Sequence, residues 1–183
     1  MSDAHAKPTK PEKLAKSHDR SAFESGATEL YEWLRKYSWQ NQPANNATTY
    51  VTTYEGRVVV YYTITVAGYQ RSVAPEAIAN KAPEAVPCFL LARLAIDLEW
   101  QGHGLGWGLL SDALQRVFML SKSVAAPALL VHARDDSARE FYLHHAEFLP
   151  SPVDPLHLFL PMKAIAAAIG DLGASDDSDT FER

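Results

Sequence analysis

The sequence predicts a mixed α/β fold in which helices flank a central sheet. Segments with apolar residues at three-to-four spacing alternate with segments rich in Val, Thr and Tyr, the patterns of amphipathic helices and of strands. Their order is helix, hairpin, strand, helix, strand, helix, strand, strand, which favours an α/β or α+β fold with a mixed sheet. A chain of 183 residues, 47% of them hydrophobic, can bury roughly 70% of its unfolded surface in one core.

The first half of the chain is predicted to contain a helix and a hairpin. Apolar residues over 23–37 recur at helical spacing, and a preceding Ser-Gly pair places the start of the helix near Ala27. Residues 50–54 and 57–66 are rich in Val, Thr and Tyr. The Glu55-Gly56 pair between them predicts the tight turn of a hairpin.

The second half alternates short strands and helices. A capping-box pattern, Ser137 followed three residues later by Glu140, predicts the start of a short helix. The other predicted elements are a short helix at 76–80, a strand at 89–96, an amphipathic helix at 105–120, an apolar strand buried on both faces at 128–133, and final strands at Phe148 and 156–162.

Composition bounds the organisation of the chain. Residues 1–10 and 173–183 lack apolar periodicity, so we expect a flexible N-terminal tail, one domain over 11–172 and a disordered acidic C-terminal tail. The single cysteine, Cys88, fits a reducing compartment. Without a signal-peptide pattern or an apolar run of about 18 residues, we expect a cytoplasmic protein with no membrane partner. The net charge of −5 leaves a nucleic-acid partner undecided, because local patches steer phosphates.

The segment Gln101-Gly102-His103-Gly104-Leu105-Gly106 joins a predicted strand to a predicted helix. Small residues let backbone N–H groups approach a ligand, and the helix N-terminus adds partial positive charge, so the segment predicts a pyrophosphate-binding loop. It is not a dinucleotide fingerprint, since Trp107 and Leu109 stand where glycine is needed, and it lacks the Lys-Ser/Thr pair of a P-loop. A glycine-rich turn that only joins strand to helix is the alternative.

Further short motifs flank this loop in a fixed order. They are His18-Asp19, Phe23-x-Ser25-Gly26, Leu30-x-x-Trp33-Leu34, Thr49-Tyr50-Val51, Val60-Tyr61-Tyr62, Leu91-x-Arg93-Leu94-Ala95-Ile96-Asp97, Val131-His132-Ala133-x-Asp135-x-x-Ala138-x-x-Phe141-Tyr142 and Leu158-x-Leu160-Pro161-Met162-Lys163. With the Q-x-x-G-x-G loop at Gln101, they make the chain resemble the GCN5-related N-acetyltransferase (GNAT) family. Within that family it is most similar to the toxins of bacterial type II toxin–antitoxin systems that acetylate aminoacyl-tRNA.

The resemblance implies the GNAT fold, a twisted, mostly antiparallel mixed sheet that holds acetyl-CoA in the splay between strands 4 and 5. It implies an N-acetyltransferase toxin that acetylates the α-amino group of aminoacyl-tRNA, blocks translation and is neutralised by a cognate antitoxin. A ribbon–helix–helix antitoxin and a homodimer are implied on the same grounds. Two alternatives stay open, namely a GNAT enzyme acting on a small amine or protein lysine, and a non-catalytic module that binds acetyl-CoA or a partner.

The resemblance also assigns cofactor-binding residues. Backbone N–H groups of the loop would hold the pyrophosphate, with Gln101 and His103 as side-chain donors. The strand segment 94–96 would pair with the pantetheine like an added strand, and ordinary sheet pairing is the alternative for that segment. The residues assigned to acetyl-CoA are Leu94, Ala95, Ile96, Gln101, Gly102, His103, Gly104, Leu105, Gly106 and Ser137.

Tyr142 is the expected general acid. A phenol has a pKa of about 10 and a thiol of about 8.5, so a positioned tyrosine can donate a proton to a departing thiolate. A core tyrosine on an amphipathic helix is the alternative. Asp97 and Glu99 are expected to be solvated loop charges. No general base is assigned, because an α-amino group with a pKa of about 8 is partly neutral at physiological pH.

Contacts to tRNA are expected from basic and aromatic side chains. The candidates are Arg35, Lys36, Trp39, Arg93, Arg134 and Arg139. Arg93 lies in an apolar strand and should face a groove or a partner, with an ion pair to a carboxylate as the alternative. A solvated helix face is favoured for Arg35 and Lys36. The histidines lack metal-ligand spacing and no G-x-S-x-G motif occurs, so neither a metal site nor a hydrolase is predicted.

Overall fold

The computed structural model describes residues 7–176, and side chains as far as residue 170. The strands in this part of the chain are β1 (Glu12–Lys13), β2 (Thr48–Tyr54), β3 (Arg57–Gln70), β4 (Ala85–Ile96), β5 (Ala128–His132), β6 (Leu149–Pro150) and β7 (His157–Pro161). The helices are α1 (Thr28–Lys36), α2 (Ser38–Asn41), α3 (Glu76–Ala79), α4 (Leu105–Ser121), α5 (Asp136–His145) and α6 (Met162–Asp176). Short 3-10 turns at Arg71–Val73 and Leu98–Trp100 follow β3 and β4.

The sheet confirms the predicted fold class. Its strands follow the order β1-β2-β3-β4-β5-β7-β6. The pairs β1–β2, β2–β3, β5–β7 and β6–β7 are antiparallel. Apart from the β2–β3 hairpin and the β6–β7 connection, helices or helical turns separate consecutive strands along the chain.

The described residues divide into two compact units. The first runs as far as Thr65 and includes Leu91–Asp112, whereas the second comprises Val66–Leu90 and the chain from Ala113 onward. Strands β3 and β4 contribute residues to both units. The single domain expected over residues 11–172 stays a prediction.

The hairpin of β2 and β3 organises the first unit. Glu55 and Gly56 both have positive φ, 51° and 79°, as a two-residue type I′ turn requires. Tyr54 pairs with Arg57 beside the turn, which confirms the predicted hairpin. One face of the unit buries a cluster formed by Leu14, Phe23, Leu34, Val51, Val58, Tyr61 and Ala95.

Antiparallel pairing of β5 with β7 forms the centre of the second unit. The first four residues of β5 are buried, as expected for an apolar strand covered on both faces. His132 and His157 are register partners at the end of this pair, and their rings stack with centroids 4.0 Å apart. The cluster beneath comprises Ala74, Ile78, Val86, Cys88, Ala128, Leu130 and Phe159.

The capping box predicted at Ser137 is wrong. Asp135 is the N-cap of α5, and its Oδ1 accepts the backbone N–H of Ala138 at 2.8 Å. Ser137 lies inside the first turn with its side chain exposed. Asp135 is the better cap because a carboxylate accepts the free N–H and also interacts favourably with the positive end of the helix dipole.

Several elements extend beyond the predicted bounds. Strand β3 continues to Gln70 and β4 begins at Ala85. The unpredicted helix α6 is rich in alanine, the strongest helix former, and it continues past the expected start of the C-terminal tail to Asp176. Within the expected N-terminal tail, the Thr9 N–H donates to the Thr53 carbonyl at 2.8 Å. Residues 1–6 and 177–183 of the expected tails lie outside the described residues.

Among the described helices, none is both long and apolar enough to cross a membrane.

Replacing Asp135 by Ala should lower the free energy of unfolding by about 1 kcal/mol, because the Ala138 N–H loses its acceptor. The matched control Ser137→Ala should change it by less than about 0.5 kcal/mol, since the exposed hydroxyl is not the cap. Urea denaturation measures both values. A larger loss for Ser137→Ala than for Asp135→Ala would contradict the cap assignment.

Candidate active site

Two glycines with left-handed backbone shape the loop before α4. Gly102 and Gly104 have φ angles of 79° and 74°, a region that residues with a Cβ rarely adopt. A Cβ built at either position meets no atom within 4 Å, so backbone conformation rather than crowding requires glycine. Residues 101–104 are exposed, and α4 begins directly after them at Leu105. Leu105 is half-buried and Gly106 is buried. The exposed residues 101–104 directly precede a 17-residue helix, a position at which free backbone N–H groups favour an anion.

A buried carboxylate fixes the turn that leads into this loop. Asp97 is 3% exposed, and it accepts the backbone N–H of Glu24 at 3.0 Å and that of Glu99 at 3.1 Å. The prediction that Asp97 is a solvated charge is therefore wrong, because the protein supplies its hydrogen bonds. An Asp placed between a strand and a tight turn is a common N-cap, and this signal could have identified it. Glu99 is exposed, as predicted.

The side chain of Gln101 braces the same turn. Its Nε2 donates to the carbonyls of Ser25 at 3.1 Å and Ile96 at 2.9 Å. The amide nitrogen expected to reach a ligand is therefore engaged by the chain itself. His103 is exposed beside Trp100, with ring centroids 6.4 Å apart.

Residues 94–96 form the last part of β4. Ala95 is buried in the cluster of the first unit, whereas Leu94 and Ile96 are half-buried. Directly after them, the Asp97 N–H donates to the Val59 carbonyl at 2.8 Å. The end of β4 is therefore held in place by β3, and the pantetheine contact of residues 94–96 stays a prediction.

Arg93 lies over the indole of Trp33. Its Cζ is 4.2 Å from the ring centroid, and the indole stacks in turn on Tyr61 with centroids 6.1 Å apart and planes at 13°. Burial lowers the pKa of the Arg93 guanidinium. Within residues 7–170, no carboxylate lies within ion-pair distance of Arg93. The ion pair considered from the sequence is therefore not formed there.

The other predicted tRNA contacts of the first unit are tied to their own chain. Arg35 donates to a backbone carbonyl before α1 and lies 3.6 Å from the Glu24 carboxylate, so it is partly buried rather than fully solvated. Lys36 is exposed, as predicted, and pairs with Glu32 at 2.7 Å. Trp39 is partly buried and packs against the core cluster. Their contacts with tRNA stay predictions.

Tyr142 lies in the second unit on α5. It is 7% exposed, and the rings of Phe141 and Phe148 meet it edge to face at centroid distances of 5.2 and 5.6 Å. Burial raises the pKa of its phenol, so the hydroxyl stays protonated at neutral pH. Among the residues whose side chains are described, none hydrogen-bonds to this hydroxyl. The side chain is thus held by aromatic packing with its donor uncommitted.

The remaining basic candidates also belong to the second unit. Arg134 pairs with Asp135 at 2.9 Å. Arg139 donates from Nε to the Pro155 carbonyl at 2.9 Å and pairs with Glu140 at 3.2 Å.

The predicted site residues are divided between the two units. The first unit holds the glycine loop, residues 94–96, Arg35, Lys36, Trp39 and Arg93, and the second holds Arg134, Ser137, Arg139 and Tyr142. Across the described side chains, no group of three His, Cys, Asp or Glu could hold a metal ion.

The chain is similar to a toxin that modifies tRNA. It is 40% identical over 161 residues to the tRNA-acetylating toxin of Mycobacterium tuberculosis. The aligned region covers 88% of this chain and 96% of that protein. The chain belongs to the tRNA-acetylating toxins. This membership confirms the resemblance found in the sequence motifs.

Solved structures of the GNAT toxin AtaT have the same fold as this chain. AtaT complexed with acetyl-methionyl-tRNAfMet is 27% identical with a TM-score of 0.80, covering 89% of this chain and 99% of that chain. A Tyr-to-Phe mutant of AtaT bound to acetyl-CoA and the C-terminus of the antitoxin AtaR is 26% identical with a TM-score of 0.73. That match covers 87% of this chain and 96% of the AtaT chain. No protein-family model matches the chain.

Two alanine substitutions test whether the loop conformation depends on glycine. Gly104→Ala should lower the free energy of unfolding by about 1 to 2 kcal/mol, because alanine is strained at positive φ. Gly108→Ala, in the regular part of α4 with no atom within 4 Å of a new Cβ, should be neutral or stabilising by up to about 1 kcal/mol. Urea denaturation of both variants checks this. Equal effects would show that the loop conformation does not depend on glycine.

Proposed function

We propose that this protein is an acetyl-CoA-dependent N-acetyltransferase toxin that acetylates the α-amino group of aminoacyl-tRNA and so blocks translation. The observation that carries the proposal is the 40% identity, along 88% of the chain, to a tRNA-acetylating toxin. The structural relative AtaT in complex with acetyl-methionyl-tRNAfMet supports the same substrate class. The proposal also requires a site for a pyrophosphate and a proton donor for a departing thiolate.

We assign the pyrophosphate to the backbone N–H groups of residues 101–106. Residues 101–104 are exposed, and the first turn of α4 contains no acidic residue that would repel an anion. Asp97 and Gln101 act here as positioning residues, because their hydrogen bonds hold the turn before the loop. Ser137, exposed at the start of α5, is assigned to the same cofactor.

We assign the pantetheine and the thioester carbonyl to Leu94, Ala95 and Ile96. A strand end with backbone N–H and C=O groups can bind an extended ligand as an added strand. A backbone N–H aimed at the thioester oxygen would stabilise the negative charge that develops there during attack by the amine. Because the end of β4 is fixed to β3 through Asp97 and Val59, such a donor would need no rearrangement during the reaction.

We assign the general-acid role to Tyr142. Its hydroxyl is protonated at neutral pH, and the edges of Phe141 and Phe148 restrict the ring. The donated hydrogen bond would strengthen as charge develops on the leaving sulfur, which is the condition for lowering the barrier. The amine needs no dedicated base, since an α-amino group with a pKa of about 8 is partly neutral at physiological pH.

From the relationship to the tRNA-acetylating toxins, we also propose a protein partner, an oligomeric state and a cellular compartment. AtaT bound to the C-terminus of AtaR supports an antitoxin as a protein partner. We further propose that the antitoxin is of the ribbon–helix–helix class, that the toxin is a homodimer, and that it acts in the cytoplasm. Cys88, buried and free, is compatible with a reducing compartment. Analytical ultracentrifugation of the purified chain tests the dimer.

The proposed activity is tested with purified protein, acetyl-CoA and total tRNA charged with all amino acids. Mass analysis of the nucleotides released from the 3′ ends should detect N-acetylated aminoacyl-adenosine. The same mixture should stop an in vitro translation reaction only when acetyl-CoA is present. Acetylation of free amines or protein lysines, with no acetylated aminoacyl-tRNA, would overturn the proposal in favour of a general amine acetyltransferase.

Tyr142→Phe should reduce kcat by about 100-fold or more, because the proton donor is lost. Its affinity for acetyl-CoA, measured by calorimetry, should stay within about three-fold of wild type, since the ring and its aromatic neighbours remain. The matched control is Tyr69→Phe, which removes a hydroxyl bonded to His157 in the same unit and should keep full activity. Undiminished turnover by Tyr142→Phe would remove the general-acid assignment.

A further inference from the structure

A three-layer stack stands out in the first unit. Tyr61 is fully buried and its hydroxyl donates to the Leu30 carbonyl at 2.7 Å. The indole of Trp33 lies nearly parallel to the Tyr61 ring, and the Arg93 guanidinium covers the indole. A guanidinium fixed by a cation–π contact to a rigid aromatic support is preorganised, so little rotamer freedom is lost when it binds a ligand. We name Trp33 and Arg93 together the Arg93 shelf.

The shelf carries a charge that the described chain does not neutralise. Arg93 is half-buried, and neither a carboxylate nor a hydrogen-bond acceptor among residues 7–170 pairs with it. Arg35, Arg57, Arg71 and Arg139, in contrast, each pair with a carboxylate. A partly desolvated cation without a counter-charge is costly unless a ligand supplies one. This arrangement therefore indicates an anion-binding position.

We propose that the Arg93 shelf binds a phosphodiester near the 3′ end of the aminoacyl-tRNA acceptor. This inference rests on the proposed function. Arg93 directly precedes the segment 94–96 that we assign to the pantetheine, so it lies close along the strand to the proposed reacting centre. The amine of an aminoacyl-tRNA is one nucleoside away from the last phosphodiester. A planar guanidinium binds two phosphate oxygens at once, a geometry that a lysine lacks.

A carboxylate of an antitoxin segment is the competing occupant. The phosphodiester is favoured because every aminoacyl-tRNA presents one at a fixed separation from the reacting amine, whatever its amino acid. A single acidic side chain has no such fixed relation to the site. The shelf would thus provide a contact common to all charged tRNAs, and it would not select among amino acids.

Steady-state kinetics on two acceptors tests the proposal. The acceptors are the charged tRNA that the wild-type enzyme acetylates and the aminoacyl-adenosine released from that tRNA, which has the same amine without a phosphodiester. Arg93→Gln should raise the KM for the charged tRNA about 10- to 100-fold, as expected for loss of a charged hydrogen bond. Its KM for acetyl-CoA and its kcat/KM on aminoacyl-adenosine should stay within about two-fold of wild type.

Trp33 variants test the aromatic support. Trp33→Leu should raise the KM for the charged tRNA about two- to five-fold, the change expected when one cation–π contact is lost. Trp33→Phe keeps an aromatic ring, so its KM should lie close to the wild-type value. Arg71→Gln is the matched charge control. It removes one positive charge from an exposed arginine already paired with Glu84, and it should leave both KM values unchanged.

Salt dependence gives a second readout. The slope of log Kd for charged tRNA against log salt concentration should fall by about 0.7 to 0.9 in Arg93→Gln, the value for one phosphate contact, and should be unchanged in Arg71→Gln. A parallel loss of activity on both acceptors would assign Arg93 a structural role and overturn the proposal. Unchanged tRNA kinetics with weakened antitoxin binding would overturn it in favour of the carboxylate. If wild type acetylates no charged tRNA, the proposed function fails and this inference with it.

Discussion

The turn from strand β4 into helix α4 depends on the buried carboxylate of Asp97. It accepts one N–H from Glu24, in the segment before α1, and one from Glu99, inside the turn. A carboxylate that is 3% exposed is tolerated only while such donors stay in place. The same two bonds therefore fix the path of the chain just before the glycine loop. The loop can present its N–H groups in one arrangement because the residues before it cannot move independently.

Features with local causes could be predicted from the sequence. The type I′ turn at Glu55-Gly56 follows from two residues that tolerate positive φ. The positive φ of Gly102 and Gly104 follows in the same way. The buried strand β5 follows from an apolar run that has no polar face to expose. In each case the residue type alone restricts the backbone or the burial, so no knowledge of distant partners is needed.

Features that depend on distant or competing partners could not be predicted. The burial of Asp97 requires a donor from Glu24, far away in the sequence. The stacking of Arg93 on Trp33 joins a strand to a helix, and periodicity does not specify which helix residue meets which strand residue. Asp135 and Ser137 are both good N-caps, and only the point at which the chain leaves β5 decides between them. Sequence patterns name such residues without assigning their contacts.

Burial has two opposing effects on the general-acid role that we propose for Tyr142. Burial raises the pKa of the phenol. A phenol with a raised pKa would be a poor proton donor to the thiolate of a thiol that kept its usual pKa of about 8.5 in water. The same apolar surroundings also disfavour a thiolate, so the pKa of a departing thiol placed there would rise as well. The difference between the pKa of the phenol and that of the thiol, rather than either pKa alone, determines whether the proton is transferred. A neutral, aligned hydroxyl is therefore most effective when charge appears on sulfur only as the bond breaks. Phe141 and Phe148 would contribute by keeping that hydroxyl aligned and the surroundings dry.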